Sequence, residues 1–111
     1  MSITEVKGDL FSVDEKTSLC HCVSADFAMG AGIAVEFKKR FGPIKPRDEL
    51  CAGTSYPLRA GDRTVFYLVT KTNYWEKPTY GNLHESLVAM KAQLDYLSIK
   101  KVAMPRIGCG L

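Results

Sequence analysis

Between Thr79 and Leu97, the apolar residues Leu83, Leu87, Met90, Leu94 and Leu97 recur at steps of three and four. That spacing predicts an α-helix with one apolar stripe, and such a stripe has to be covered by another layer. Either Thr79 or Asn82 can cap its start, and Asn82 with Glu85 three residues on suits a capping box. Strand patterns flank the helix. Thr64–Val69 carries the strongest strand signal in the chain, and Lys101–Met104 reads as a final strand closed by Pro105.

The rest of the chain fits the same layered plan. Ile3–Lys7 alternates and predicts a strand ended by Gly8-Asp9, and Ser18–Val23 predicts a second. Ser24–Gly32 is a loop of small residues. Ile33–Phe41 has apolar residues at 33, 34, 37 and 41, with Lys38, Lys39 and Arg40 gathered at its end. This is an amphipathic helix with cations where the helix dipole favours them, stopped by Gly42-Pro43. One further turn of helix is expected at Asp48–Cys51, a strand at Thr54–Leu58 and a turn at Ala60–Arg63. The order β-β-α-β-β-α-β predicts a single α/β domain over residues 1–111, a sandwich built on a mixed sheet.

Composition narrows the functional classes. With 111 residues, 46% hydrophobic and 24% charged, the chain matches an ordinary globular domain with one core. A net charge of +3 favours an anionic ligand but is too small to predict a nucleic-acid groove. Apolar runs fall far short of the ~20 residues of a membrane-spanning helix. The start, Met1-Ser-Ile-Thr-Glu, has no signal-peptide pattern, so the expected location is the nucleus and cytoplasm rather than the secretory route. Cys20-His21-Cys22 has no second pair at metal spacing, so no metal site is expected, and a buried strand with both cysteines on one face is the simpler reading.

Two segments carry the candidate chemistry. Met29-Gly-Ala-Gly-Ile33 runs from a strand exit into a helix, where small residues admit a ligand and free N–H groups attract an anion. Gly108-Cys-Gly110 follows the last strand in the same way, and in open α/β sheets ligands sit beyond the carboxyl ends of strands. Neither loop has the third glycine and helix of a dinucleotide fingerprint, and no phosphate-binding lysine follows either one, which argues against a nicotinamide dehydrogenase or an NTPase. Lys71, just past Thr70 at the close of the Val65–Val69 strand, is either a solvated surface residue or an amine able to attack a sugar's aldehyde or anomeric carbon. Asp9 is either a turn former or an acceptor for a base amine. Ser24 and Asp26 line the first loop. Tyr74 and Trp75 either stack on a ligand or pack on the neighbouring helix. His21, inside a strand, and His84, near a helix start, are poorly placed as bases.

Lys7-Gly8-Asp9-Leu10, Met29-Gly-Ala-Gly-Ile-Ala34 and Pro105-Arg-Ile-Gly-Cys-Gly-Leu111 resemble, in order, the three ligand-binding stretches of the macrodomain family. Tyr67-Leu-Val-Thr-Lys71, Lys77-Pro-Thr-Tyr80 and Met104–Leu111 resemble the branch that includes the terminal ADP-ribose protein glycohydrolase, also described as an O-acetyl-ADP-ribose deacetylase. The resemblance implies a three-layer sandwich and ADP-ribose or ADP-ribosylated protein as partner. It implies no cofactor, no metal, no membrane and no direct nucleic-acid contact, and a monomer. Asp9 would hold the adenine amine, with Leu10 beside it. Gly30, Ala31, Gly32 and Ile33, together with Arg106, Ile107, Gly108, Cys109, Gly110 and Leu111, would wrap the diphosphate, and Ser24 would lie near the ligand. Lys71 would be the nucleophile that releases ADP-ribose from glutamate or aspartate. The resemblance also places an acid/base aspartate, a helix and a strand after Leu111, with that strand beside the first one. The chain as given is therefore expected to be C-terminally truncated, with an unpaired first strand. The alternative activity is a non-catalytic ADP-ribose-binding module.

Overall fold

The order read from the sequence is the order of the fold. The computed structural model describes residues 2–6, 9–30 and 32–105. In chain order the elements are β1 (Ser2–Val6), β2 (Ser18–Ser24), α1 (Ile33–Phe41), β3 (Thr54–Ala60), β4 (Arg63–Lys71), α2 (Tyr80–Tyr96) and β5 (Lys101–Pro105), with a short 3-10 turn at Leu10–Ser12. Among the described residues the strands form one sheet in the order β1-β5-β2-β4-β3. The β1–β5, β5–β2 and β2–β4 pairs are parallel, and only β3 runs antiparallel to its neighbour. The mixed sheet is therefore as expected. Pro57 lies within β3, which is possible because β3 is an edge strand. β3 and β4 form a hairpin across Gly61-Asp62, and Gly61 has φ 62° at the loop position where a two-residue turn needs a glycine.

The period-two pleat divides the interior. Leu19, Val23, Val65, Tyr67 and Val69 face α1, where they join Phe37, Leu10, Phe27 and Met29. Cys20, Phe66 and Leu68 face α2 and join Met90, Leu94 and Val102. One helix covers each face of the sheet, giving the three-layer sandwich. Cys20 and Cys22 share the α2 side, as the strand reading required.

Several expectations need correcting. Asp48–Cys51 is not a turn of helix. The Leu50 N–H bonds the Arg47 carbonyl at 3.0 Å, a single isolated turn between Pro46 and Gly53 that is too short to nucleate a helix. Thr79, not Asn82, caps α2, since its hydroxyl accepts from the Asn82 N–H at 3.1 Å and leaves Asn82 inside the first turn, so the Asn82/Glu85 box does not form. Leu97 lies at the C-cap and is 45% exposed, whereas Ser86, Met90 and Leu94 form the buried stripe. β4 is longer than expected and ends on Lys71 itself. β1 is not unpaired: it runs parallel to β5 from Ser2↔Lys101 to Val6↔Pro105. A lone strand would leave its backbone donors and acceptors without ladder bonds, and the open side of β5 supplies them.

Candidate functional site

The site lies where β2 and β4 leave the sheet. Their register is regular from Leu19↔Val65 to Val23↔Val69 and then shifts, so that Ser24 pairs with Lys71. Thr70 is the extra residue of a bulge, a device that re-aims a side chain at a strand end. The Ala25 N–H then donates to the Lys71 carbonyl at 2.8 Å and extends the pairing by one bond. A cleft of about 420 Å³ opens here, lined by Cys22, Val23, Ser24, Ala28, Met29, Gly30, Ala34, Lys71 and Tyr74. That volume is in the range of small-molecule sites.

The loop between β2 and α1 is held in a costly shape. Phe27 has φ 50° and Met29 has φ 44°, both in the left-handed region, at about 1–3 kcal/mol each. Both side chains are buried in the α1-side core, which offsets the cost. Gly32, with φ 61°, is the N-cap of α1 and offers no side-chain cap. Among the described residues no side chain caps the first turn of α1, the arrangement that suits an anion.

Asp26 ties this loop to the opposite wall. Its carboxylate accepts hydrogen bonds from the Ser24 hydroxyl, from the Ala28 N–H at 3.1 Å and from the Tyr74 N–H at 3.0 Å. Burial pushes this carboxyl up. The bonds from Ser24, Tyr74 and Ala28, together with the Lys71 charge, outweigh burial and hold it below the usual aspartate value. The Lys71 ammonium donates to the Tyr74 carbonyl at 3.0 Å.

The structure brings together Ser24, Gly30 and Lys71 from the expected set, and Gly32 and Ile33 stand at the start of α1 beside them. Asp9 and Leu10 are not among the residues that line this cleft. The Asp9 carboxylate caps the 3-10 turn by accepting from the Phe11 N–H at 2.9 Å, the turn reading of that residue. Leu10 as a whole is buried, and its side chain packs in the α1-side core. Ala31 and Arg106, Ile107, Gly108, Cys109, Gly110 and Leu111 lie outside the described residues.

Sequence reasoning did not foresee the role of Asp26 or the position of Tyr74 on the cleft wall. The available signal was the Ser-x-Asp spacing of Ser24 and Asp26, which lets a carboxylate fold back on its own loop. Tyr74 and Trp75 do not pack on a helix: they are 62% and 69% exposed and meet each other edge to face. His21 is fully buried, stacked on Phe37 at 3.7 Å between ring centres, and burial pulls its pKa down to about 3. Cys20 faces the other helix layer, and burial raises its thiol to about 12. Cys20 and His21 therefore point to opposite faces and cannot share a metal ion.

Sheet order, one helix layer on each face and a glycine loop at the strand exits define an α/β domain of macrodomain type, and the chain belongs to the macrodomain family. It is 47% identical over 111 residues to ADP-ribose glycohydrolase OARD1 of Bos taurus and of Homo sapiens, an overlap of 98% of this chain and 73% of each relative. Among solved structures, the macrodomain of Mycobacterium tuberculosis DarG matches with a TM-score of 0.84 and 25% identity over 98% of this chain and 78% of that one. Thermosipho africanus DarTG, solved in complex with ADP-ribose, matches in fold with a TM-score of 0.77 at 22% identity, over 97% of this chain and 34% of that one. No protein-family model matches the sequence.

Proposed function

We propose that the chain binds ADP-ribose in the cleft between Ser24, Gly30 and Lys71 and hydrolyses it from glutamate or aspartate side chains of modified proteins. The observation that carries this reading is the convergence of an amine, a hydroxyl and a glycine loop leading into a helix N-terminus at one opening. The kinship with relatives named ADP-ribose glycohydrolase supports it.

In this reading the diphosphate lies against the N–H groups at the start of α1, which places the distal ribose toward Lys71. Lys71, once deprotonated, attacks the anomeric carbon. The new C–N bond forms as the C–O bond to the carboxylate breaks, and the protein carboxylate leaves. The ribose ring opens to a Schiff base on Lys71, water adds to its carbon, and collapse returns the free amine and ADP-ribose. An acyl-linked ribose suits this route because a carboxylate is a good leaving group. O-acetyl-ADP-ribose offers the same acyl chemistry as an alternative substrate. No metal or cofactor enters any step.

The test is Lys71→Ala. Calorimetry should show ADP-ribose binding retained, while release from glutamate-linked substrate is abolished. Release at the wild-type rate would overturn the lysine mechanism. Binding without turnover in the wild-type chain would assign it instead as a non-catalytic ADP-ribose-binding module.

A further inference from the structure

Lys71 is not free to swing. A lysine side chain has four rotatable bonds, and a nucleophile that samples them all spends little time aimed at one carbon. Here one donor of the ammonium is committed to the Tyr74 carbonyl at 3.0 Å. The orientation of that carbonyl therefore decides where the amine sits. Tyr74 is in an exposed loop, is 62% exposed, and belongs to neither core cluster among the described residues. The same residue's N–H, however, donates to the Asp26 carboxylate from across the cleft.

We propose that Asp26 is the positioning residue of this site, acting on Lys71 through the backbone of Tyr74. The carboxylate has two oxygens, and the structure uses both. Oδ1 accepts from Ser24 and from the Ala28 N–H, which anchors Asp26 to the strained loop after β2. Oδ2 accepts from the Tyr74 N–H, which fastens the loop after β4 to that anchor. Tyr74 is thus gripped at both ends of its backbone, by Asp26 at the N–H and by Lys71 at the carbonyl. The two walls of the cleft become one unit, and the geometry of the amine is inherited from the β2 loop. The strained Phe27 lies between Asp26 and the Ala28 N–H that bonds its Oδ1, so the left-handed turn there is closed by the same carboxylate.

This inference rests on the functional reading above for its consequence but not for its geometry, and the experiment separates the two. Asp26→Ala removes both oxygens. Asp26→Asn keeps one acceptor oxygen for the Ser24 and Ala28 side and loses the charge and the acceptor facing Tyr74, so it also serves if the alanine variant does not fold. In both variants the Tyr74 amide should exchange with solvent at least ~10-fold faster. Reductive methylation of Lys71 by formaldehyde and borohydride should change at least ~3-fold relative to the surface lysines. With ADP-ribosylated substrate, kcat should fall about 10- to 100-fold in Asp26→Ala and less in Asp26→Asn, while KM and the ADP-ribose Kd stay within ~3-fold. Unchanged Tyr74 exchange and unchanged Lys71 labelling in both variants would overturn the inference. So would a loss of ADP-ribose affinity as large as the loss of kcat. If the wild-type chain does not bind ADP-ribose at all, the functional reading fails, and the Tyr74 and Lys71 measurements still decide the role of Asp26.

Discussion

β2 and β4 carry two cross-strand pairs of reactive-looking residues, and the pairs behave in opposite ways. His21 and Tyr67 pair in the middle of the strands, and Ser24 and Lys71 pair at their ends. The middle pair is sealed under α1. Its ring nitrogens and phenol oxygen have no hydrogen-bond partner among the described residues. Burial pulls His21 down to about 3, and burial together with the Tyr56 charge pushes Tyr67 up to about 12. Both groups are neutral across the physiological range and serve as packing. The end pair opens on the cleft, and its polar atoms are bound to Asp26 and Tyr74. A few residues along one ladder therefore separate inert polar mass from usable chemistry, and depth rather than residue type makes the difference.

The largest expected effect lies on the buried side. Phe37 stacks on His21 and also meets Phe11, Phe41 and Tyr67. Phe37→Ala should cost about 3–5 kcal/mol in urea unfolding, because it opens a cavity under the whole cluster. A cost under ~1 kcal/mol would show that the middle pair is not sealed.

His21 comes next. The folded protein takes no proton there until about pH 3, whereas the unfolded chain takes one near 6.5. Its contribution to stability is complete above pH 6.5 and is lost as pH falls from there toward 3. At pH 5 the wild type should have lost about 2 kcal/mol relative to pH 7 through this group alone, and His21→Phe should remove that part of the loss. Equal pH slopes in wild type and variant would mean that His21 is charged or hydrated in the folded state.

Tyr67→Phe should be neutral or stabilising by up to ~1 kcal/mol, since it removes a buried hydroxyl that has no partner among the described residues. A loss of more than ~1 kcal/mol would reveal a bonded hydroxyl and blur the contrast between the two pairs. Lys71→Ala, at the rim, should change stability by no more than ~0.5 kcal/mol while abolishing ADP-ribose release. Equal damage to stability and release would place Lys71 with the structural pair.

Much of the fold could be read from the sequence because its elements announce themselves locally. The steps of α2, the cations ending α1 and the Gly61-Asp62 hairpin each depend on neighbours in sequence. The errors fall where distant residues decide. The pairing of β1 with β5 joins the two ends of the described chain, which no local pattern encodes. The site divides in the same way. Lys71 and the Gly30–Gly32 loop carry motif signals, whereas the bond from Tyr74 to Asp26 spans two loops that meet only in the folded sheet.

The β1–β5 ladder also has a consequence for the order in which the molecule assembles. The β3–β4 hairpin can form early from residues close in sequence, but among the described residues β1 has no strand to pair with until β5 has taken its place beside β2. Closing a loop of that span is slow, as for any fold rich in distant parallel contacts. During synthesis the first strand therefore leaves the ribosome well before its partner and has to wait for it. Among the described residues β1 is made well before the strand it pairs with, so sheet closure on the β1 side is expected to come late and to leave that strand open to mispairing.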